Sequence, residues 1–287
     1  MNDNASPPER IGTSEPPANR CSAASRQPLV LVILAAAIAL LTANAWLTAR
    51  LVKQQSDATK EHRFWILCQP GRSTAERAAA FRQLVADGNK EWRSAQLSEL
   101  DLPGISLPGA DLKSTGFQRA NLAKANLAAA KINKASLELA DLAGADLSEA
   151  DLSETQFYRA VLKGAKARRA NLRAALLQEV KAENVDLMVA DLSDADCLMA
   201  DLTGGNLAGA NFSGAKLEAA ILKSANLSLA RLDGANLKDT DFTDSNWWRA
   251  RGLTSAQNEF LKTKFAPSEN APPKLKEDYR KWGSGGK

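Results

Sequence analysis

Histidine and cysteine are scarce in this sequence. Among 287 residues there is one histidine, His62, and there are three cysteines, Cys21, Cys68 and Cys197. A zinc site or a disulfide framework needs cysteines or histidines at short, paired spacings, and these cysteines lie far apart. A single histidine also excludes metal sites built on a histidine pair. We therefore expect no metal centre and no disulfide framework.

The sequence also lacks a strong net charge and a nucleotide-binding motif. It has 37 Lys and Arg residues against 33 Asp and Glu residues, a net charge of +4. That balance does not indicate a nucleic-acid binder. There is no GxGxxG motif and no Walker loop, and no Ser/His/Asp or Cys/His arrangement is possible beyond His62. We expect a protein without enzymatic activity, without a cofactor and without direct nucleic-acid binding.

One long apolar run lies near the N-terminus. Residues 1–27 are polar, rich in Pro, Ser and Asn, and are predicted to be disordered. From Leu29 to Leu41 thirteen consecutive residues are apolar, and the apolar character continues far enough to predict a single-pass transmembrane helix over 28–50. Trp46 suits the membrane interface. Basic residues flank the run on both sides, so the orientation is left open.

Two other interpretations of this run stay open. Arginines precede the run, and Ala43, Asn44 and Ala45 form an A-x-A pattern, which is typical of a cleavable secretory signal. A cleaved protein would be periplasmic or secreted. A buried helix is the other alternative. We expect the uncleaved anchor, which would place the protein in a membrane, the bacterial inner membrane.

Residues 51–94 are predicted to form a helical junction and an N-terminal cap. Ser73 and Glu76 have the spacing of a capping box, in which each side chain serves a backbone amide at the start of a helix. Apolar residues then follow at helical spacing, and Gly88 is placed to end the helix. The single apolar face of this helix predicts that it covers the segment that follows.

The rest of the sequence repeats every five residues. Of the 31 positions taken at steps of five from Leu97 to Trp247, Leu occupies 22 and Phe four. Two residues before each, Ala occupies 22 of 31. Neither a helix nor one continuous strand gathers such a pattern on one face. A short extended step followed by a corner does, and four steps close a square coil of 20 residues. Stacked coils form an all-β solenoid.

The tandem pattern A-(D/N)-L-x-x resembles the pentapeptide-repeat family. The resemblance covers residues 95–249 and implies a right-handed quadrilateral β-helix of about eight coils, with the central Leu or Phe and the preceding Ala inside. The sequence departs from the pattern where Ala167 and Ala182 replace the Leu and where Val180 and Val185 replace the Ala. We expect looser packing around residues 165–187.

The end of the repeats is predicted to be capped. Trp247 and Trp248 lie where the repeat fades, and Thr254 begins a second capping box, so that residues 250–266 form a C-terminal capping helix. The residues expected to form this cap are Trp247, Trp248, Leu253 and Phe260. The Pro-, Lys- and Gly-rich residues 267–287 are predicted to be a flexible tail.

Function is expected on the outer faces, because a close-packed interior leaves no room for a ligand. The candidate interaction surface is a basic cluster followed by an acidic one, made of Lys163, Lys166, Arg168, Arg169, Arg173, Asp191, Asp194 and Asp196. We expect a membrane-tethered scaffold that binds an unidentified protein partner and has the option of forming a homodimer. Some family members imitate DNA and bind a topoisomerase, in the manner of gyrase protection. That role is the alternative, and it requires a continuous acidic stripe.

Overall fold

The computed structural model describes residues 27–69 and 71–284. It contains four α-helices: α1 (Gln27–Cys68), α2 (Thr74–Ala86), α3 (Ser255–Lys264) and α4 (Pro273–Gly283). A single 3₁₀ turn lies at Trp247–Arg249. The chain divides into two compact units, Met1–Thr59 and Lys60–Lys287, and the repeats lie in the second.

Helix α1 contains the segment predicted to span a membrane. It is one continuous helix of 42 residues that ends at Cys68, so it also includes the first part of the predicted junction. The predicted disorder of residues 1–26 lies outside the described residues, as do the side chains of 27–37. Over the part of the chain that the structure describes, no helix has the length and apolar character of a membrane span. The predicted transmembrane helix over 28–50 is therefore not supported by the structure.

Residues 20 positions apart pair throughout the repeats. Each bridge is parallel and one residue long, as between Asp141 and Val161, and no longer strand forms within the described residues. The amide of Asp141 donates backwards to the carbonyl of Ala120 (3.0 Å), whereas the amide of Leu142 donates forwards to that of Val161 (2.7 Å). Each coil is thus bonded to the one before and the one after. This register confirms a β-helical solenoid of 20-residue coils with four pentads each.

Each position of the five-residue repeat has its own place in the coil. The central Leu or Phe and the small residue two before it are almost all fully buried, as are Leu142 and Ala140. From Ser94 to Asp244 the residue two after the centre turns the corner with a left-handed backbone, and where it is not glycine its φ lies between 53° and 63°. Three buried threonines replace the small residue, and each hydroxyl donates to a backbone carbonyl of the preceding coil, as Thr155 does to Ile132 (2.9 Å). The three threonine hydroxyls are therefore satisfied inside the core.

The core contains a cavity where the repeat pattern breaks. An apolar cavity of about 20 Å³ lies inside the coils, and its walls include Ala167, Val180, Ala182 and Val185. The valines refill only part of the space that the two missing leucines leave. The predicted looser packing around 165–187 is thereby confirmed, and the apolar walls keep so small a space dry.

The N-terminal end of the solenoid is closed by α2. The capping box of Ser73 and Glu76 is present as predicted. Phe81 is fully buried and its ring lies 4.4 Å from that of Trp92, between centroids. On the same helix, Arg77 donates to the carbonyl of Gln96 (2.8 Å). Helix α2 thus covers both the apolar end of the tube and part of its open backbone.

The C-terminal end is closed by α3 and α4 together. Trp247 and Trp248 are buried as the predicted cap requires, and Thr254 and Gln257 form the predicted capping box. Leu253 is half-buried against the core. Phe260, however, was wrongly assigned to the cap, because its side chain is 55% exposed; Leu261, one residue on, is the buried contact.

Residues 267–287 are not a flexible tail as predicted, because most of them form α4 and the segment before it. Tyr279 of α4 packs against Trp248 with 4.9 Å between ring centroids. Asp278 accepts hydrogen bonds from the indole of Trp248 (2.9 Å) and from Nε of Arg249 (2.9 Å). The bonds from Arg249 and Trp248 hold the pKa of Asp278 below its usual range. Helix α4 is thus held over the two tryptophans by aromatic contacts and by the hydrogen bonds to the carboxylate of Asp278.

The cavity predicts that Ala167→Val stabilises the protein. Two added methyl groups enter existing space and bury apolar surface, so we expect the free energy of unfolding to rise by about 1 kcal/mol. Ala190→Val is the control, since it adds the same groups at a fully buried alanine that is not among the residues lining the cavity, and it is expected to destabilise by about 1–3 kcal/mol. Urea denaturation followed by circular dichroism measures both. A loss of stability in Ala167→Val would contradict the cavity.

The carboxylate of Asp278 predicts acid-sensitive docking of α4. A carboxyl whose pKa is lowered in the docked state contributes stability above its undocked pKa and loses it as the pH falls through the docked pKa. We therefore expect a change in tryptophan emission below about pH 4. Asp278→Asn removes the titrating group, so its docking is weaker at neutral pH and this acid step is absent. An identical step in both proteins would assign the titration to another group.

Candidate interaction surface

The solenoid presents four outer faces. Pentads that are 20 residues apart stack on the same face, so we name the faces after their first central residues: the Leu97, Leu102, Leu107 and Leu112 faces. Three residues of each pentad point outward: the one before the central residue and the two after it. Every surface residue of the repeats is therefore placed by its pentad and its slot.

The Asp and Asn residues before the central position have a structural role. Their side-chain oxygens accept from the amide two residues on, as Asp141 does from Ala143 (2.9 Å). They also form ladders between coils: Asn246 donates to Asn226 (2.9 Å), and Asn226 donates to Asn206 (3.1 Å). These residues fix the corners and the stack on a convex surface, where no cleft brings two carboxylates together for acid–base chemistry.

The described side chains give no sign of a reactive or metal-binding centre. No group of three or more potential metal ligands occurs among them. Cys197 is fully buried, and this burial raises the pKa of its thiol to about 12. A thiol in such surroundings is inert. Its predicted role as a small buried apolar residue is confirmed.

The predicted basic and acidic clusters do not form one surface. Lys163 lies on the Leu102 face, Lys166 with Arg168 and Arg169 on the Leu107 face, and Arg173 on the Leu112 face. The acids are divided likewise: Asp191 and Asp194 lie on the Leu112 face and Asp196 on the Leu97 face. The chain turns a corner after every five residues, so residues of successive pentads lie on different faces. The charges that are close together in the sequence are therefore distributed around the coil.

Many of these charges are also paired between coils. Arg173 lies 3.6 Å from Asp194, Lys216 lies 3.1 Å from Asp196, and Arg168 lies 2.5 Å from Asp186. Exposed pairs of this kind contribute only about 0–1 kcal/mol each, but they cancel the local field. The ion pairs leave no continuous acidic stripe on the faces that carry them.

The Leu97 face instead carries an apolar patch. Eight large apolar side chains of the repeats are exposed, and five of them lie on this face in four consecutive coils. We call them the Leu97-face patch: Leu139, Tyr158, Leu176, Leu198 and Met199. The other three, Val189, Ile221 and Leu229, are divided between two faces. These five were not among the predicted surface residues, although their signal is present in the sequence as large apolar residues in outward slots.

Comparison with known proteins agrees with this architecture. The family model "Pentapeptide repeats" matches in eight copies over residues 93–127, 120–157, 135–173, 155–194, 170–209 and 210–246, which is more than half of the chain. No curated protein matches the chain.

Several solved structures are similar. One is HetL from the cyanobacterium Nostoc sp. strain PCC 7120, a protein involved in heterocyst differentiation regulation, at 26% identity over 58% of this chain and 95% of HetL, with a TM-score of 0.30. A pentapeptide repeat protein of the Arabidopsis thaliana thylakoid lumen is 27% identical over 46% of this chain and 85% of its own, with a TM-score of 0.29. Trypsin-treated QnrB1, a plasmid-mediated fluoroquinolone resistance protein, is 16% identical over 55% of this chain and 87% of its own, with a TM-score of 0.36. The pentad period, the 20-residue register and the family match together establish that this chain belongs to the pentapeptide repeat family.

Proposed function

We propose that this protein is a non-enzymatic scaffold that binds a protein partner through the Leu97-face patch. The observation that supports it is the concentration of five exposed apolar side chains on one of four faces. They lie within four coils, roughly 15 Å of the stack at the spacing of paired strands. Arg159 and Glu179 separate Leu139 from Met199 in the same slot, so the face is a mixed surface with a high share of large apolar side chains. Exposed apolar side chains surrounded by polar residues mark interaction sites, and aromatic residues and methionine are enriched in interfaces.

A partner of macromolecular size fits this surface better than a small ligand. The cavity inside the coils measures about 20 Å³ and has no polar lining, so the interior offers no ligand site. The patch lies on a flat face whose neighbouring charges, such as Arg159 and Glu179, pair between coils at 3.5 Å. A partially apolar, locally neutral face favours a protein surface of the same character.

Imitation of DNA to bind a topoisomerase remains the alternative function. It requires an extended run of acidic side chains that imitates phosphates. The ion pairs between coils interrupt such a run, as Lys216 does beside Asp196. The scaffold role is therefore the better supported of the two.

The proposal includes attachment to a membrane through α1. Its support is the exposure of large apolar side chains along the first unit, where Leu41 and Val52 are 69% and 68% exposed. An apolar helix without a protein covering is stabilised by lipid. We propose that the protein resides in the bacterial inner membrane, as a monomer or a homodimer.

Substitutions in the patch test the scaffold function. Leu139 and Met199 occupy the corner slot with a left-handed backbone, where Glu149 and Glu179 occur naturally. Leu139→Glu with Met199→Glu therefore keeps the fold while placing two charges in the patch. We expect binding of the partner to weaken at least about tenfold, measured by photocrosslinking from position 158 and quantitative mass spectrometry.

Leu229→Glu is the matched control, because Leu229 is also an exposed leucine in the same slot, but on the Leu107 face. Its partner binding is expected to equal that of the unmodified protein. Equal crosslinking in the patch variant and the control would overturn the patch as the binding surface. Circular dichroism checks that all variants retain the solenoid.

Fractionation with intact mass measurement tests the attachment. We expect the full-length protein to remain in the membrane pellet after an alkaline carbonate wash, with residues 1–45 attached. A soluble protein that begins at Trp46 would identify residues 1–45 as a cleaved signal. A soluble protein that keeps those residues would instead identify α1 as a helix covered by protein.

A further inference from the structure

The Leu97 face ends in an open backbone edge at residues 235–239. One coil earlier, the amide of Leu217 donates to the carbonyl of Asn236 (2.9 Å). The equivalent amide of Leu237, and that of Asp239, donate no hydrogen bond to any group in the part of the chain that the structure describes. The solenoid therefore stops on this face with donors that another coil would have used.

Several other edges of the solenoid are bonded by the chain itself. At the N-terminal end, Arg77 and Arg82 donate to the carbonyls of Gln96 and Asp101. At the C-terminal end, the Leu107 and Leu112 faces continue to residues 249–251, whose carbonyls accept from the preceding coil. On the Leu102 face the amides of Phe242 and Asp244 also donate no backbone bond within residues 71–284, but the chain returns there, and the amide of Ser268 donates to Asp244 (2.8 Å). At 235–239, α3 lies beside the edge and forms no hydrogen bond with it among the described residues.

A groove runs along this open edge. Its volume is about 470 Å³, and its walls are Ala235 to Asp239 on one side and α3 on the other. That volume lies within the range of about 300–1,000 Å³ common for binding sites. Phe260, the α3 side chain that does not join the cap, lines the groove and is 55% exposed. The groove thus combines free backbone donors with an apolar wall.

We propose that this edge binds an extended segment of a partner protein by β-strand addition, running parallel to residues 235–239. In this mode backbone hydrogen bonds supply affinity and alternate side chains supply specificity. The register follows from the stack itself. The first residue of the segment donates to the carbonyl of Ala235 and accepts from the amide of Leu237, and its third residue accepts from the amide of Asp239. The inference rests on the proposed function only in requiring a protein partner.

The ladders between coils specify the side chains of the segment. Asn stacks on Asn, as Asn246 does on Asn226, so Asn or Asp belongs above Asn236. An apolar residue belongs above Leu237, against Phe260.

The two corner slots carry opposite charges in neighbouring coils. Lys238 pairs with Glu218 of the coil before (2.9 Å), so an acid belongs above Lys238. In the second slot Arg119 pairs with Glu99 (3.7 Å), so a base belongs above Asp239. The segment therefore has the order amide, apolar, acid, base.

A synthetic peptide tests this order on the full-length protein. The probe is fluorescein-labelled Ala-Asn-Leu-Glu-Lys-Ala with an amidated C-terminus, and its binding is followed by fluorescence anisotropy. A peptide with Glu and Lys exchanged is expected to bind about threefold more weakly. A peptide with an N-methyl group on the backbone nitrogen of Asn, which cannot donate to the carbonyl of Ala235, is expected to bind about fivefold more weakly. Hydrogen exchange of the Leu237 and Asp239 amides is expected to slow when the first peptide is bound.

A charge reversal makes the test specific for the edge. Asp239→Lys places lysine in a slot whose backbone already carries Lys124 and Lys134. It is expected to change the preference at the fifth position of the peptide from Lys to Glu, so that Ala-Asn-Leu-Glu-Glu-Ala binds this variant more tightly than Ala-Asn-Leu-Glu-Lys-Ala does. Ser224→Lys, in the same slot on the Leu102 face, is the control and leaves the preference unchanged.

Equal binding of all three peptides, or exchange at 237 and 239 that the peptide leaves unchanged, would overturn the proposal. Protection of the two amides by self-association at high protein concentration, without peptide binding, would assign the edge to a second copy of the chain and also overturn it. Leu139→Glu with Met199→Glu leaves peptide binding unchanged, so failure of the patch and failure of the edge are distinguishable.

Discussion

The fixed 20-residue register of backbone hydrogen bonds is the constraint on which the rest of this structure depends. Each coil gives amides to the coil after it and to the coil before it, so no coil can lengthen or shorten without leaving buried groups unpaired. The five-residue sequence period follows from that requirement. Four equal sides divide 20 residues, and each side has room for one large apolar side chain, one small one and a corner. The corner needs a left-handed residue, which the closed coil imposes even on Val189.

The interior of this fold was accessible from the sequence because it depends on local spacing. Leu142 and Ala140 are buried for reasons visible in five residues, and the capping boxes at Ser73 and Thr254 were visible in four. The outer surface was harder, because neighbours there are 20 residues apart in sequence and only about 4.8 Å apart in space. Lys163 and Arg173 were grouped by sequence and separated by the corners.

The C-terminal cap shows a different kind of difficulty. The composition of residues 267–287 suggests a flexible tail, yet Leu275, Tyr279 and Trp282 have the i, i+4, i+7 spacing of an amphipathic helix. All three are half-buried against the core. Their surroundings include Trp247 and Trp248, which become available only once the solenoid is built. The prediction for Phe260 failed for a related reason. A rotation of α3 by one residue position decides whether Phe260 or Leu261 faces the coil, and that rotation depends on contacts with the finished solenoid.

Because the chain turns a corner every five residues, an insertion or deletion affects the core and the surface of this molecule differently. The interior depends on position within five residues, so a gain or loss of one whole pentad leaves every Leu and Ala buried. The exterior depends on position within 20, so the same change turns everything after it by a quarter of a coil. A five-residue insertion between Tyr158 and Leu176 would split the apolar patch between two faces in a protein that is otherwise intact. An insertion or deletion of one pentad during evolution can therefore preserve the fold of such a chain while rearranging its surface. Only an insertion or deletion of whole 20-residue coils preserves both.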